Sequence, residues 1–245
     1  MDFPILSTIL FTPVAALLLV MLLPATRPEA IRITSALAAL VTMGLAAALW
    51  SGFDPAGPQH QFVELIPWVE RFGISYHVGV DGFGVLLVML NAVVYLTGVL
   101  SMWTLEQRVK EYFAFMHLLV VGVFGVFISL DIFFFFFFYE VAVLPMYPLI
   151  AIWASTRKEY AAMKLTLFLM GGSALLFPAL LSLYWTSGLG TFDLLALGQH
   201  AYPREFQIFV YPWIYVGFGV LAGMFPFHGW SPTGHVAAPT AVSML

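Results

Sequence analysis

The chain contains no cysteine, which excludes disulfides, thiolate metal sites and Cys-ligated iron–sulfur clusters. Charge is nearly as scarce. Asp, Glu, Lys and Arg make up 9% of the residues and the nine Lys and Arg form no basic run, so no nucleic-acid partner is expected. There is no Gly-rich phosphate loop, and none is expected on lipid-facing helices. Histidines paired at haem spacing on neighbouring helices are missing too, so no haem is expected. Met1 and Asp2 lack the basic start of a signal peptide. What fills the chain instead is apolar: 62% of its residues are hydrophobic, a composition no soluble domain has. It reads as a polytopic membrane protein.

The apolar runs place the spans. The first covers about residues 4–23 and the second about 31–52. A polar stretch at 53–81 follows, within which residues 72–80 alternate loosely and predict a short extended ribbon on the membrane surface. Asp81 and Gly82 turn the chain into a third span at about 83–103, and a fourth runs at about 112–130. The fifth covers 131–154, and the sixth ends near residue 185 after a capping box of Thr156 and Glu159. A seventh is expected to start near Pro212, a favourable first-turn proline, and to break at residues 226–229. Ala238, Pro239 and Thr240 open an eighth that stops after a few residues.

Basic residues set an orientation. Connections 1–2, 3–4 and 5–6 hold Arg27, Arg32, Arg108, Lys110, Arg157 and Lys158, whereas the alternate connections hold only Arg71 and Arg204. The positive-inside rule puts the first set in the cytoplasm and the amino terminus outside.

The fifth span, DIFFFFFFYEVAVLPMYPLIAIWA, carries one glutamate. Counted from Asp131, Glu140 lies about 13.5 Å along a helix, near the middle of a hydrocarbon core ~30 Å thick. A carboxylate there costs about 2.5–3.5 kcal/mol on insertion scales, and intramembrane ionisable groups mark ion or proton pathways. Pro145 and Pro148 cannot bond the carbonyls of Val141 and Leu144, which frees two acceptors close to the carboxyl. The alternative is a hydrogen-bonded carboxyl that only holds helices together.

Lys164 lies one to two turns inside the cytoplasmic end of span six. It either snorkels to the headgroups or supports charge on Glu140 if the two helices pack together. His228 and His235 flank the break after span seven, where unwound backbone and imidazole can form a titratable patch. His117, near the cytoplasmic end of span four, reads as a hydrogen-bonded core residue. His60, His77 and His200 fall in loops and receive no role.

Four motifs carry a resemblance: GISYHVGVDG at residues 73–82, the run from Asp131 through Tyr139 and Glu140 to LPMY at 144–147, RKEYAAMK at 157–164, and PFHGWSPTGH at 226–235 with APT at 238–240. Together they resemble the antiporter-like membrane subunits of respiratory complex I, of the subunit M type, which are related to Mrp-type cation/proton antiporter subunits. The resemblance implies two inverted five-helix repeats, each with a broken helix. It also implies a proton route through a glutamate in span five and lysines or histidines in spans six to eight. On this chain the proton-transfer set carries over to Glu140, Lys164, His228 and His235, with no catalytic, cofactor-binding or metal residues.

The expected fold is therefore an all-α polytopic membrane protein, a complex I antiporter-like fold with a broken span-seven helix, incomplete at about seven spans plus the start of an eighth. Residues 1–110 form three N-terminal transmembrane helices with an external loop at 53–81. Residues 111–245 form the first five-helix repeat, truncated at the start of its last helix, so the chain reads as a fragment of a longer subunit.

Two positions depart from the family pattern. Leu221 stands where members usually carry a lysine seven residues before the break histidine; counted from Pro212, it is expected near mid-membrane. Thr233 stands where they carry an aspartate. The function implied is a proton-translocating, non-redox subunit of an NADH:quinone oxidoreductase in a bacterial plasma membrane. Its partners would be other membrane-arm subunits, including further antiporter-like ones, and lipid; NAD, FMN, iron–sulfur clusters and quinone would belong to partner subunits. The alternatives are a structural arm subunit with an impaired proton path and an Mrp-type antiporter subunit.

Overall fold

The structure, a computed structural model, describes residues 3–245. The reading of Met1 and Asp2 lies outside the described residues. Among the described residues six helices are long and apolar enough to cross a membrane: α1 (Ile5–Leu22), α2 (Pro28–Gly52), α3 (Gly82–Ser101), α4 (Val109–Ile128), α5 (Ile132–Trp153) and α6 (Lys158–Ser187). At about 1.5 Å per residue, helices of this length span a hydrocarbon core of roughly 30 Å. After α6 come a short α7 (Leu194–Gln199), which the sequence did not announce, then α8 (Arg204–Leu221), α9 (Trp230–Ala237) and α10 (Thr240–Met244).

The class is helical, with one exception. Between α2 and α3 lies an antiparallel hairpin of β1 (Gln61–Val69) and β2 (Ile74–Val80), in register at Leu65–His77 and Pro67–Ser75. The expected ribbon is present and extends back to Gln61. Its Glu64 reaches the first turn of α1, accepting hydrogen bonds from the backbone N–H groups of Leu6 (3.1 Å) and Ser7 (3.2 Å) and from the Ser7 hydroxyl. A helix leaves its first four N–H groups unpaired, and α1 has no cap of its own, so a strand carboxylate supplies one.

α4 is the centre of the bundle. Tyr112, Phe113, Met116, Val120, Phe124 and Ile128 are fully buried, and α1, α2, α3 and α5 pack around them. It approaches α5 closely because small residues meet there: a Cβ at Gly122 would stand 2.3 Å from the backbone nitrogen of Ala142. His117, within this core, is wholly buried between the hydroxyls of Ser35 (Nε2, 2.9 Å) and Tyr95 (Nδ1, 2.8 Å), the hydrogen-bonded role expected of it.

The basic connections share one end of the bundle, opposite the hairpin. There Lys110 donates to the carbonyls of Met21 (2.7 Å) and Leu23 (2.8 Å), Arg32 to that of Leu105 (2.9 Å), and the Trp153 indole to that of Gln107 (2.7 Å). Lys110 thereby satisfies carbonyls that the end of α1 leaves open, and Arg32 and Trp153 tie down the connection between α3 and α4.

Three local expectations are corrected. α8 starts at Arg204, so Pro212 lies inside the helix and not in its first turn. Proline there leaves only the carbonyl of Ile208 without its partner, a loss the helix tolerates. Leu221 is accordingly the last residue of α8, at the lip of the break, well beyond mid-helix. The capping box does not form: Arg157 is the residue before α6, and no side chain caps the helix. Finally, His77 is not in a loop. It sits in β2, buried, with Nδ1 2.6 Å from Oδ2 of Asp193.

Candidate functional site

Two features position α5. Asp131 precedes it and accepts from the N–H groups of Phe133 (2.8 Å) and Phe134 (3.2 Å) through Oδ1, and from Ser75 N–H of β2 (3.1 Å) through Oδ2. Burial pushes this carboxyl above the ordinary aspartate value; the three N–H bonds oppose that shift and neighbouring Asp193 adds to it. Phe138 and Ala142 then lock α5 against Gly125 and Gly122 of α4.

Glu140 follows eight residues after Ile132, about 12 Å into the helix at ~1.5 Å per residue. It shares a stripe with Phe136 and Val143, which pack toward α6, and with Phe137 and Leu144, which are exposed. The side chain is half-buried, and its Oε1 is enclosed without a hydrogen-bond partner among the described residues.

Lys164 is half-buried on α6, one helix away, but it does not reach Glu140. Its Nζ donates to Oγ1 of Thr233 on α9 at 3.1 Å and lies 5.8 Å from the ring centre of Tyr160. Among the described residues the contacts within 4.0 Å between basic and acidic side chains are His77–Asp193 and Arg108–Glu111, so neither Glu140 nor Lys164 has a partner of opposite type at that distance. Leu221, where the family pattern carries a lysine, is apolar and packs on α6. A Cβ at Gly172 of α6 would stand 2.8 Å from Cδ2 of Leu221, so the leucine fills the space over that glycine.

The helix interruption spans residues 222–229. Gly223 takes a positive φ of 65°, and the Trp230 indole donates to the carbonyl of Val220 at 2.8 Å, beside the bond that carbonyl accepts from the Gly223 N–H (3.2 Å). His228 lies within the interruption, exposed and stacked on Phe225 with ring centres 5.7 Å apart. His235 is on α9, exposed, with Nδ1 3.2 Å from the Ser243 hydroxyl. It borders a cavity of about 450 Å³ that Trp153, Ser155 and Thr240 also line, at the basic end. The four predicted residues thus form no single cluster: Glu140 stands alone on α5, while Lys164 engages the segment that carries the two histidines.

Two side-chain contacts were not legible in the sequence. Thr233 was noted only for the aspartate it replaces, although its place four residues after Gly229 sets it on the face of α9 toward α6. The His77–Asp193 pair joins residues 116 positions apart, which no local pattern reveals.

A family model described as "NADH:quinone oxidoreductase/Mrp antiporter, TM" matches residues 129–245. The chain is 37% identical to NAD(P)H-quinone oxidoreductase chain 4 3 of Picosynechococcus sp., covering 100% of this chain and 45% of that protein. It is 35% identical to NADH-quinone oxidoreductase subunit M of Rhodobacter capsulatus, over 85% of this chain and 42% of that one. A chain of respiratory complex I from Thermus thermophilus has the same fold, with a TM-score of 0.81 at 24% identity, covering 97% of this chain and 48% of its own. The chain spans about half the length of the curated relatives it matches.

Proposed function

The chain belongs to the antiporter-like membrane family of NADH:quinone oxidoreductases and Mrp complexes, and on that premise we propose that it serves as a proton-translocating, non-redox membrane subunit. The observation that carries this reading is the enclosed, unpaired Oε1 of Glu140. An enclosed carboxyl oxygen that no side chain pairs is free to exchange a proton, and intramembrane carboxyls mark proton pathways. Lys164, hydrogen-bonded to the broken-helix segment, is the second group of the route, and His228 and His235 line its end toward the basic connections.

Residues 111–245 are then the first of two repeats, and the basic end faces the cytoplasm, with the amino terminus outside. Electron transfer, with its NAD, FMN, iron–sulfur clusters and quinone, takes place on partner subunits of the same respiratory complex. A second reading rests on Leu221. With its methyls over Gly172 in place of a cation, the chain acts as a structural arm subunit whose path no longer conducts.

Glu140→Gln separates the two. Glutamine keeps the shape and hydrogen-bonding capacity but cannot titrate. The assembled complex should lose proton pumping by about tenfold or more, the scale of a lost proton-transfer group. A variant that pumps with the wild-type proton-to-electron ratio would replace the pathway reading with the structural one.

A further inference from the structure

We infer that Thr233 is the positioning residue of Lys164: it holds the amine against the segment beyond the helix interruption, so that Lys164 exchanges its proton there and not directly with Glu140. The inference rests on the reading of Lys164 as a member of the proton route.

The hydrogen-bond arrangement is directional. A threonine hydroxyl has one proton to give and two lone pairs to accept with. Thr233 gives its proton to the carbonyl of Gly229, 3.0 Å away and four residues back. Its lone pairs therefore face outward, and the Nζ of Lys164 donates to them at 3.1 Å. The lysine side chain crosses over Gly229, where a Cβ would lie 3.7 Å from Nζ and 3.9 Å from Cε. The next pair of residues locks the helices in this register: a Cβ at Gly234 would stand 2.7 Å from Cδ1 of Leu165. Lys164 and Leu165 thus meet Thr233 and Gly234 in step, which keeps the hydroxyl within reach of the amine.

A neutral acceptor is well suited to a group that must give up its proton. A carboxylate at position 233 would hold the lysine charged, because an opposite charge nearby favours the charged form. A hydroxyl orients the amine without that penalty. Single hydrogen bonds between membrane helices add little to stability, so removing this one should leave the subunit assembled.

The test uses the complete complex in sealed membrane vesicles, measuring pumping per electron and its dependence on pH for the wild type, Lys164→Met, Thr233→Val and Thr233→Ser. Valine keeps the shape of threonine without the hydroxyl, and serine keeps the hydroxyl without the methyl. Thr233→Val is expected to lower pumping by up to about 100-fold, the scale of a catalytic group displaced by about 1 Å, and to move the pH profile, while Thr233→Ser recovers both. If Lys164→Met is impaired but Thr233→Val matches the wild type, Thr233 has no positioning role and the Lys164 reading stands. Equal impairment of the valine and serine variants would make Thr233 a packing residue and overturn the inference. An unaffected Lys164→Met would remove the reading beneath it, and the inference with it.

Discussion

The amine of Lys164 lies 3.1 Å from the hydroxyl of Thr233 and forms no ion pair with Glu140. The two groups are thus held separately. Lys164 is fastened to the broken-helix segment, and Glu140 is left with an enclosed oxygen that has no hydrogen-bond partner among the described residues.

Lys164→Met should therefore lower proton pumping by about tenfold while the complex assembles at near wild-type yield. The methionine preserves the apolar stem that packs beside Gly229. Pumping in membrane vesicles, normalised to assembled complex, provides the measurement; unchanged pumping would leave Lys164 as a residue that merely snorkels.

Orientation can be read without background from this chain, because it has no cysteine. Lys158→Cys, at the basic end, should react with a membrane-impermeant thiol reagent only after the membrane is opened. Labelling from outside in intact cells would reverse the assigned topology.

Gly73 follows the turn between β1 and β2 at a φ of 65°, and a Cβ there would meet the carbonyl oxygen of Gly190 at 1.9 Å. Gly73→Ala should therefore destabilise the hairpin end by at least about 1–3 kcal/mol, the cost of a left-handed non-glycine residue alone. The expected readout is a lower thermal midpoint and easier proteolysis at the hairpin. A wild-type midpoint would mean that the contact between Gly73 and Gly190 is absent.

Asp131 supplies a pH dependence with a definite sign. Burial raises its carboxyl above the ordinary aspartate value, so the folded state binds this proton more tightly than the unfolded chain does. Its contribution to stability is full below the ordinary value and fades as pH rises through the raised one. Asp131→Asn should flatten that part of the acid-side stability profile in thermal melts. Asparagine can still accept from Phe133 and Phe134, so the start of α5 should persist. An unchanged profile would show that Asp131 titrates as it does in the unfolded chain.

What the sequence determined by itself was everything set by composition and by neighbours along the chain. Long apolar runs cannot fold in water, and an apolar run in a bilayer must satisfy its backbone internally, so the six long helices and their near-limits were legible. So were the ribbon before α3, the interruption around His228, and the depth of Glu140 on its helix. The start of α8 was misread because a proline tolerated inside a membrane helix looks the same, in sequence, as one that opens it. Only the tertiary structure decided which side chains meet. Thr233 and Lys164 are 69 residues apart, Ser7 and Glu64 57, and His77 and Asp193 116. Such pairs depend on how helices rotate and slide against one another. That is set by close packing at residues such as Gly122, Gly172 and Gly234, where a single Cβ would force the partners apart.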